Sequence, residues 1–151
     1  MTKLEKEILY QEYDQLLELA HEAGQKALEA HETTMYKWSA KTVPLGEEYD
    51  WENEPYEVHG ACGCAWVATR ERGNGTFVKY LKAKYGEDRI TKDCYRKDWD
   101  VPTDKMNMNV KGPDGKIYNG QEVEPKYAYC KAYAEVLNEF GLKATAWEYL
   151  T

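Results

Sequence analysis

Residues 70–79 read Arg-Glu-Arg-Gly-Asn-Gly-Thr-Phe-Val-Lys. Arg70, Arg72 and Lys79 set cations around a Gly73-Asn74-Gly75 turn, and Thr76 stands where a helix can begin. Free backbone N–H groups and the positive end of a helix dipole favour an anion at such a place. The chemistry this pattern suits is phosphate or carboxylate binding, with a nearby Tyr or Trp to stack on a nucleotide base. The Gly-Lys-Ser/Thr ending of a P-loop is absent, and an ordinary turn followed by a helix cap uses the same residues. His59, Cys62 and Cys64 are a second candidate: three soft ligands close together. Structural zinc takes four ligands, and Cys94 or Cys130 would have to supply the last. The Cys-x-Cys spacing lacks the tight turn of a Cys-x-x-Cys knuckle, so buried cysteines acting as small hydrophobes compete with the metal reading.

A third candidate is a contact surface. Residues 46–58 hold six acidic groups and no basic one. Glu47, Glu48, Asp50 and Glu52 alternate there with Tyr49 and Trp51. Such a stretch is either a solvated connection or a surface that docks on a basic partner or imitates a phosphate backbone. Catalytic constellations are not evident. His59 is too near Cys62 to be its obvious base, and His21 and His31 fall on the first helix. There is no Ser/His/Asp order, no carboxylate pair at helical spacing and no dinucleotide fingerprint. Nothing in the sequence demands an enzyme.

These groups need elements to position them. Thr2 with Glu5 is a capping box, so a helix begins there. Leu9, Tyr13, Leu16, Ala20, Ala23, Ala27 and Ala30 recur at spacings of three and four, with Ile8 and Leu19 widening the stripe. This is either the core face of the helix or a seam through which two copies form a homodimer. Gly24 weakens the pattern slightly. A short strand is expected at Met35–Trp38. His59 to Thr69 has small, soft and apolar residues without a charge, which reads as a central buried strand with Trp66 and Val67 in the core. A helix from Thr76 should stop at Gly86. Residues 87–104 look irregular, and Pro102 discourages helix. Met106, Met108 and Val110 alternate with Asn107 and Asn109, and a turn at 112–115 would return Lys116–Tyr118 as a hairpin. Pro125 suits the first turn of a last helix with Cys130, Tyr133, Leu137 and Phe140 on its inner stripe, closed by Gly141. Leu142 to Tyr149 alternates as a final strand with one aromatic face.

The expected fold is α+β: a small mixed or antiparallel sheet with a long N-terminal helix, residues 1–31, and two further helices. One domain of 151 residues is expected, with residues 32–151 forming its α+β core. Leu, Ile, Val and Phe make up only about 16% of the chain, which alone would look disordered. The 13 Tyr and 5 Trp make up the missing apolar area. The core should therefore be aromatic and polar-rimmed. The net charge of −7 argues against nucleic acid as a direct ligand, while residues 70–98 form a local basic stretch. The first 30 residues are charged throughout, so neither a signal peptide nor a membrane span is expected. A reducing cytoplasm, with free thiols, is the expected compartment.

Cys62-Gly63-Cys64-Ala65-Trp66-Val67, the turn and helix at Gly75–Gly86, and the Ala132–Gly141 helix followed by an apolar strand resemble small uncharacterised proteins of tailed bacteriophages. Those show a mid-chain Cys-Gly-aromatic-Ala-Trp-Val strand. Cys64 stands here where they have the aromatic residue, and no activity or functional residue carries over. The resemblance implies a phage accessory product in the bacterial host cytosol, non-enzymatic, that binds and inhibits or sequesters a host or defence factor. The alternative is a protein that binds a small anionic ligand or, sponge-like, a nucleotide at Arg70–Lys79, without a cofactor. A zinc-containing, nucleic-acid-related module at His59, Cys62 and Cys64 is a further one.

Overall fold

The computed structural model describes residues 1–31, 35–36, 45–48, 52, 57–58, 63–111, 115–119 and 122–150. In chain order these form α1 (Lys3–Ala30), β1 (Met35–Tyr36), β2 (Glu57–Val58), β3 (Gly63–Thr69), α2 (Thr76–Tyr85), β4 (Trp99–Val101), β5 (Asn109–Lys111), β6 (Ile117–Asn119), α3 (Val123–Glu139) and β7 (Ala144–Leu150). The class is α+β, as expected. No helix among the described residues is long and apolar enough to cross a membrane.

Thr2 caps α1, its Oγ1 accepting the Glu5 N–H at 3.1 Å. The buried stripe runs Tyr13, Leu16, Leu17, Ala20, Gly24 and Leu28. It departs from the expected heptad stripe in its second half: Ala23 and Ala27 are only half-buried and Ala30 is exposed. A straight helix drifts by about 20° per heptad against a 3.5-residue repeat, so over this length the inner face moves from Ala23 to Gly24 and from Ala27 to Leu28. Ile8 and Leu19, expected to widen the stripe, lie exposed away from it. The stripe faces α3, the helix with which α1 makes its most extensive contact, and touches α2. A homodimer built on this same seam would have to displace α3.

Gly24 is where α1 and α3 cross. A Cβ there would stand 2.9 Å from two ring carbons of Tyr129, so glycine is what lets the two helices meet.

The main sheet has the order β4-β3-β7, all antiparallel, with β3 in the centre as expected. Val67 pairs with Val101 on one side and Ala146 on the other, and Trp66 pairs with Trp147. Direct pairs share a face. Val67, Val101 and Ala146 therefore point together to the core, on which α3 packs. Trp66, expected in the core beside Val67, is instead half-buried and points the other way with Trp147, Cys64 and Tyr149, because neighbouring strand residues face opposite sides. β4 was not expected in the stretch read as irregular. It is three residues long, ends at Pro102, and is held by pairing with distant β3, so no local period announces it.

The hairpin β5–β6 forms a separate two-stranded sheet and starts later than the Met106 expectation. Gln25 explains the delay. Its Nε2 donates to the Asn107 carbonyl at 2.9 Å, and its Oε1 accepts the Asn107 N–H at 3.0 Å. Both backbone groups of Asn107 are thus spent on α1, and Met106 and Met108 pack on the core instead of pairing. β1 and β2 pair as Met35↔Val58 and Tyr36↔Glu57, so both ends of the segment carrying the acidic stretch are joined. β2 falls where a loop was expected.

The core is aromatic. Tyr13 lies edge-on to Phe77 at 5.1 Å between centroids and packs against Tyr80 at the same distance. Cys130, Tyr133 and Leu137 are buried as expected, but Phe140, the C-cap of α3, is exposed, its ring meeting Tyr13 edge-on at 6.1 Å between centroids. Gly86 and Gly141, with φ of 96° and 104°, stop α2 and α3 in a conformation other residues rarely adopt.

Candidate functional site

The glycine turn is built for packing. A Cβ on Gly73 would stand 2.6 Å from the Trp99 ring, and one on Gly75 3.0 Å from the Arg72 carbonyl. The Gly75 N–H already donates to that carbonyl at 2.9 Å. Gly75, not Thr76, is the N-cap of α2, and no side chain caps it. The Thr76 hydroxyl is instead bonded to the Tyr13 hydroxyl at 2.9 Å, tying α2 to α1. Arg70, Arg72, Asn74 and Lys79 are exposed. The close approach of glycine here serves Trp99 and a tight turn.

Of the zinc candidates, His59 and Cys62 lie outside the described residues. Cys64 is exposed on the outer face of β3, contrary to the reading of it as a small core residue, whereas Cys130 is buried. Among the described residues no group of three or more His, Cys, Asp or Glu is arranged to hold a metal. In the acidic stretch Glu47, Glu48 and Glu52 are exposed, and Tyr49, Asp50 and Trp51 lie outside the described residues.

The outer face of the sheet carries a constellation that spacing could not reveal. The Arg96 guanidinium lies 5.2 Å from the Trp66 ring centroid and 5.3 Å from that of Trp147. A planar cation against two indole faces is a strong cation–π arrangement. Carboxylates fix it: Arg96 Nε donates to Asp98 Oδ2 at 3.2 Å, and Asp93 Oδ2 is 3.3 Å from the guanidinium. Trp147 Nε1 donates to the same Asp98 oxygen at 3.1 Å. Asp98 is 1% exposed, and its Oδ1 has no hydrogen-bond partner among the described residues. Asp93 also accepts the N–H groups of Arg96 and Tyr95, which hold its carboxyl below the usual carboxylate range. The aromatic face of the last strand was legible. Arg96 and its two aspartates were not, because a loop distant in sequence folds them onto it. Beyond this constellation Cys64 and Tyr149 are exposed on the same face.

A second concavity lies on the helix side. α1, α2, α3 and the Pro102–Lys105 segment enclose a cleft of about 190 Å³. Its floor includes Leu17, Tyr129 and Tyr133. The Tyr129 hydroxyl is hydrogen-bonded to His21 Nδ1 at 2.7 Å. Around the mouth, Lys105 Nζ donates to Glu18 at 2.8 Å, Lys84 Nζ and the Tyr80 hydroxyl donate to Asp14, and Arg89 grips Asp104 through two bonds. The Tyr80 bond, ahead of Lys84, holds the Asp14 carboxyl low. Burial, and then Asp14, push the Tyr80 hydroxyl up.

No family model, curated protein or solved structure matches the chain.

Proposed function

We propose that this chain is a phage-type accessory protein that works by binding, and that it engages a protein partner with a positively charged surface through the outer face of its sheet. The observation that carries this reading is the composition of that face. Trp66, Trp147 and a guanidinium are held rigid, while beside them Tyr149 is 65% exposed. Tryptophan, tyrosine and arginine are the residues that dominate binding energy at protein interfaces, and rigid ones lose little entropy when covered. β7 is an edge strand of the main sheet among the described residues, so its outer backbone groups are open to a partner chain. The net charge of −7 and the acidic stretch at 46–58 select a basic partner and speed its approach.

The test begins with capture of partners from bacterial lysate and proceeds to measurement with the purified partner. Tyr149→Ala should weaken its binding by tenfold or more, in keeping with an interface anchor worth above about 1.4 kcal/mol. Neutralising Glu47, Glu48, Asp50 and Glu52 together should slow association and flatten its salt dependence. An unchanged Kd for Tyr149→Ala would remove the sheet face from the contact.

A further inference from the structure

The cleft on the helix side takes no part in that contact, and its chemistry is different. Its volume of about 190 Å³ slightly exceeds the roughly 150 Å³ cavity that admits one benzene ring. Ring faces and aliphatic carbon from Leu17, Tyr85, Pro102, Tyr129 and Tyr133 line most of it. The charges at its mouth are matched: Asp14 with Lys84, Glu18 with Lys105, Asp104 with Arg89. An incoming ion would have to break one of these pairs or meet its like charge, whereas a neutral molecule would not.

Unspent hydrogen-bonding capacity remains inside. Tyr133 is 3% exposed, yet its hydroxyl has no partner among the described residues. Tyr133 is among the residues that line the cleft. His21 spends Nδ1 on Tyr129 and has Nε2 to offer.

We propose that the cleft binds a neutral, single-ring aromatic molecule bearing a hydrogen-bonding group, a phenol in its simplest form, with the ring among the tyrosines and the polar group on Tyr133. Titration of the full chain with phenol, followed by calorimetry and by amide chemical shifts, tests this. Saturable one-to-one binding below about 10 mM is expected, with shifts confined to α1, α3, the Lys84–Tyr85 end of α2 and Pro102–Lys105, and a raised Tm. Benzene should bind about tenfold more weakly, the worth of one hydrogen bond. Benzoate and benzylammonium should not saturate. Tyr133→Phe should bring phenol down to the level of benzene and leave benzene unchanged. Thr103→Phe, which adds bulk to the lining of the cleft, should abolish both. Tyr149→Ala, on the outer face, should alter neither. Absence of saturable phenol binding, equal binding of benzoate, or a phenol preference that survives Tyr133→Phe would overturn the proposal. The phenol-to-benzene comparison on the unaltered chain needs no variant to fold.

Discussion

Gly24→Ala sets two known effects against each other and so tests the helix crossing sharply. Taken alone, alanine in a helix interior is favoured over glycine by about 1 kcal/mol. The added methyl would stand 2.9 Å from Tyr129 Cδ2 and Cε2, and 3.0 Å from the Tyr129 carbonyl oxygen. The ring cannot swing aside: it is fully buried, and its hydroxyl is tied to His21. The carbonyl belongs to the backbone of α3 and moves only if the helix moves. Overpacking costs of about 1–3 kcal/mol are usual, and a contact this constrained belongs at the upper end. The net expectation is a loss of about 2 kcal/mol, from about 3 lost to the clash and about 1 regained in propensity. For a chain of this length that is roughly 4–8 °C in Tm. Thermal and urea unfolding measure it, with the urea slope unchanged. Ala23→Gly, one position earlier and only half-buried, is the control; it removes propensity alone and should cost about 1 kcal/mol. A Gly24→Ala chain that melts at or above the parent temperature would refute the close crossing of α1 and α3.

Acid stability offers a second check. The folded-state pKa of Asp14 lies below its ordinary 3.8, so its contribution is present above that value and is lost as pH falls through the folded pKa. Asp14→Asn should therefore lower stability near neutral pH and flatten the acid limb of the stability curve below about pH 4; an unchanged acid limb would mean that the Tyr80 and Lys84 bonds do not form in solution. The cysteines should divide by reactivity. Burial pushes the Cys130 thiol up to about 12, while Cys64 and Cys94 are exposed. Alkylation at pH 8, followed by peptide mass spectrometry, should modify those two promptly and Cys130 only on unfolding; early labelling of Cys130 would contradict the packing of α3.

Local signals in this chain carried as far as local physics reaches. The Thr2–Glu5 cap, the stops at Gly86 and Gly141, and the charge-free strand around Trp66 each depend on a few neighbouring residues, and each was legible. Features set by distant partners were not. β4 exists because Val101 finds Val67. The delayed start of β5 exists because Gln25 consumes the backbone of Asn107. Gly24 reads as a weakness in an isolated helix and becomes a requirement only when Tyr129 lies across it. The same divide separates the candidate sites. The glycine turn could be seen at once, but the packing of Gly73 against Trp99 could not. The aromatic side of β7 was visible in its alternation, whereas the arginine that lies against it comes from a loop with no pattern at all.

The tyrosine-rich composition itself dictates where the cleft falls. A chain poor in aliphatic residues must fill its core with rings, and every buried tyrosine brings a hydroxyl that needs a partner. Three of them are answered across elements: Tyr13 by Thr76, Tyr80 by Asp14, Tyr129 by His21. Those bonds fasten α1 to α2 and to α3, so the polar tips that complicate the core also fix its register. Among the described residues Tyr133 is the exception. Closing the space in front of it would strand its hydroxyl; leaving that space open, between helices already pinned by the other three, produces a cavity with an aromatic floor and a free donor. The cleft is thus a consequence of building with tyrosine instead of leucine, and a ligand that answers Tyr133 would complete the pattern the other hydroxyls begin.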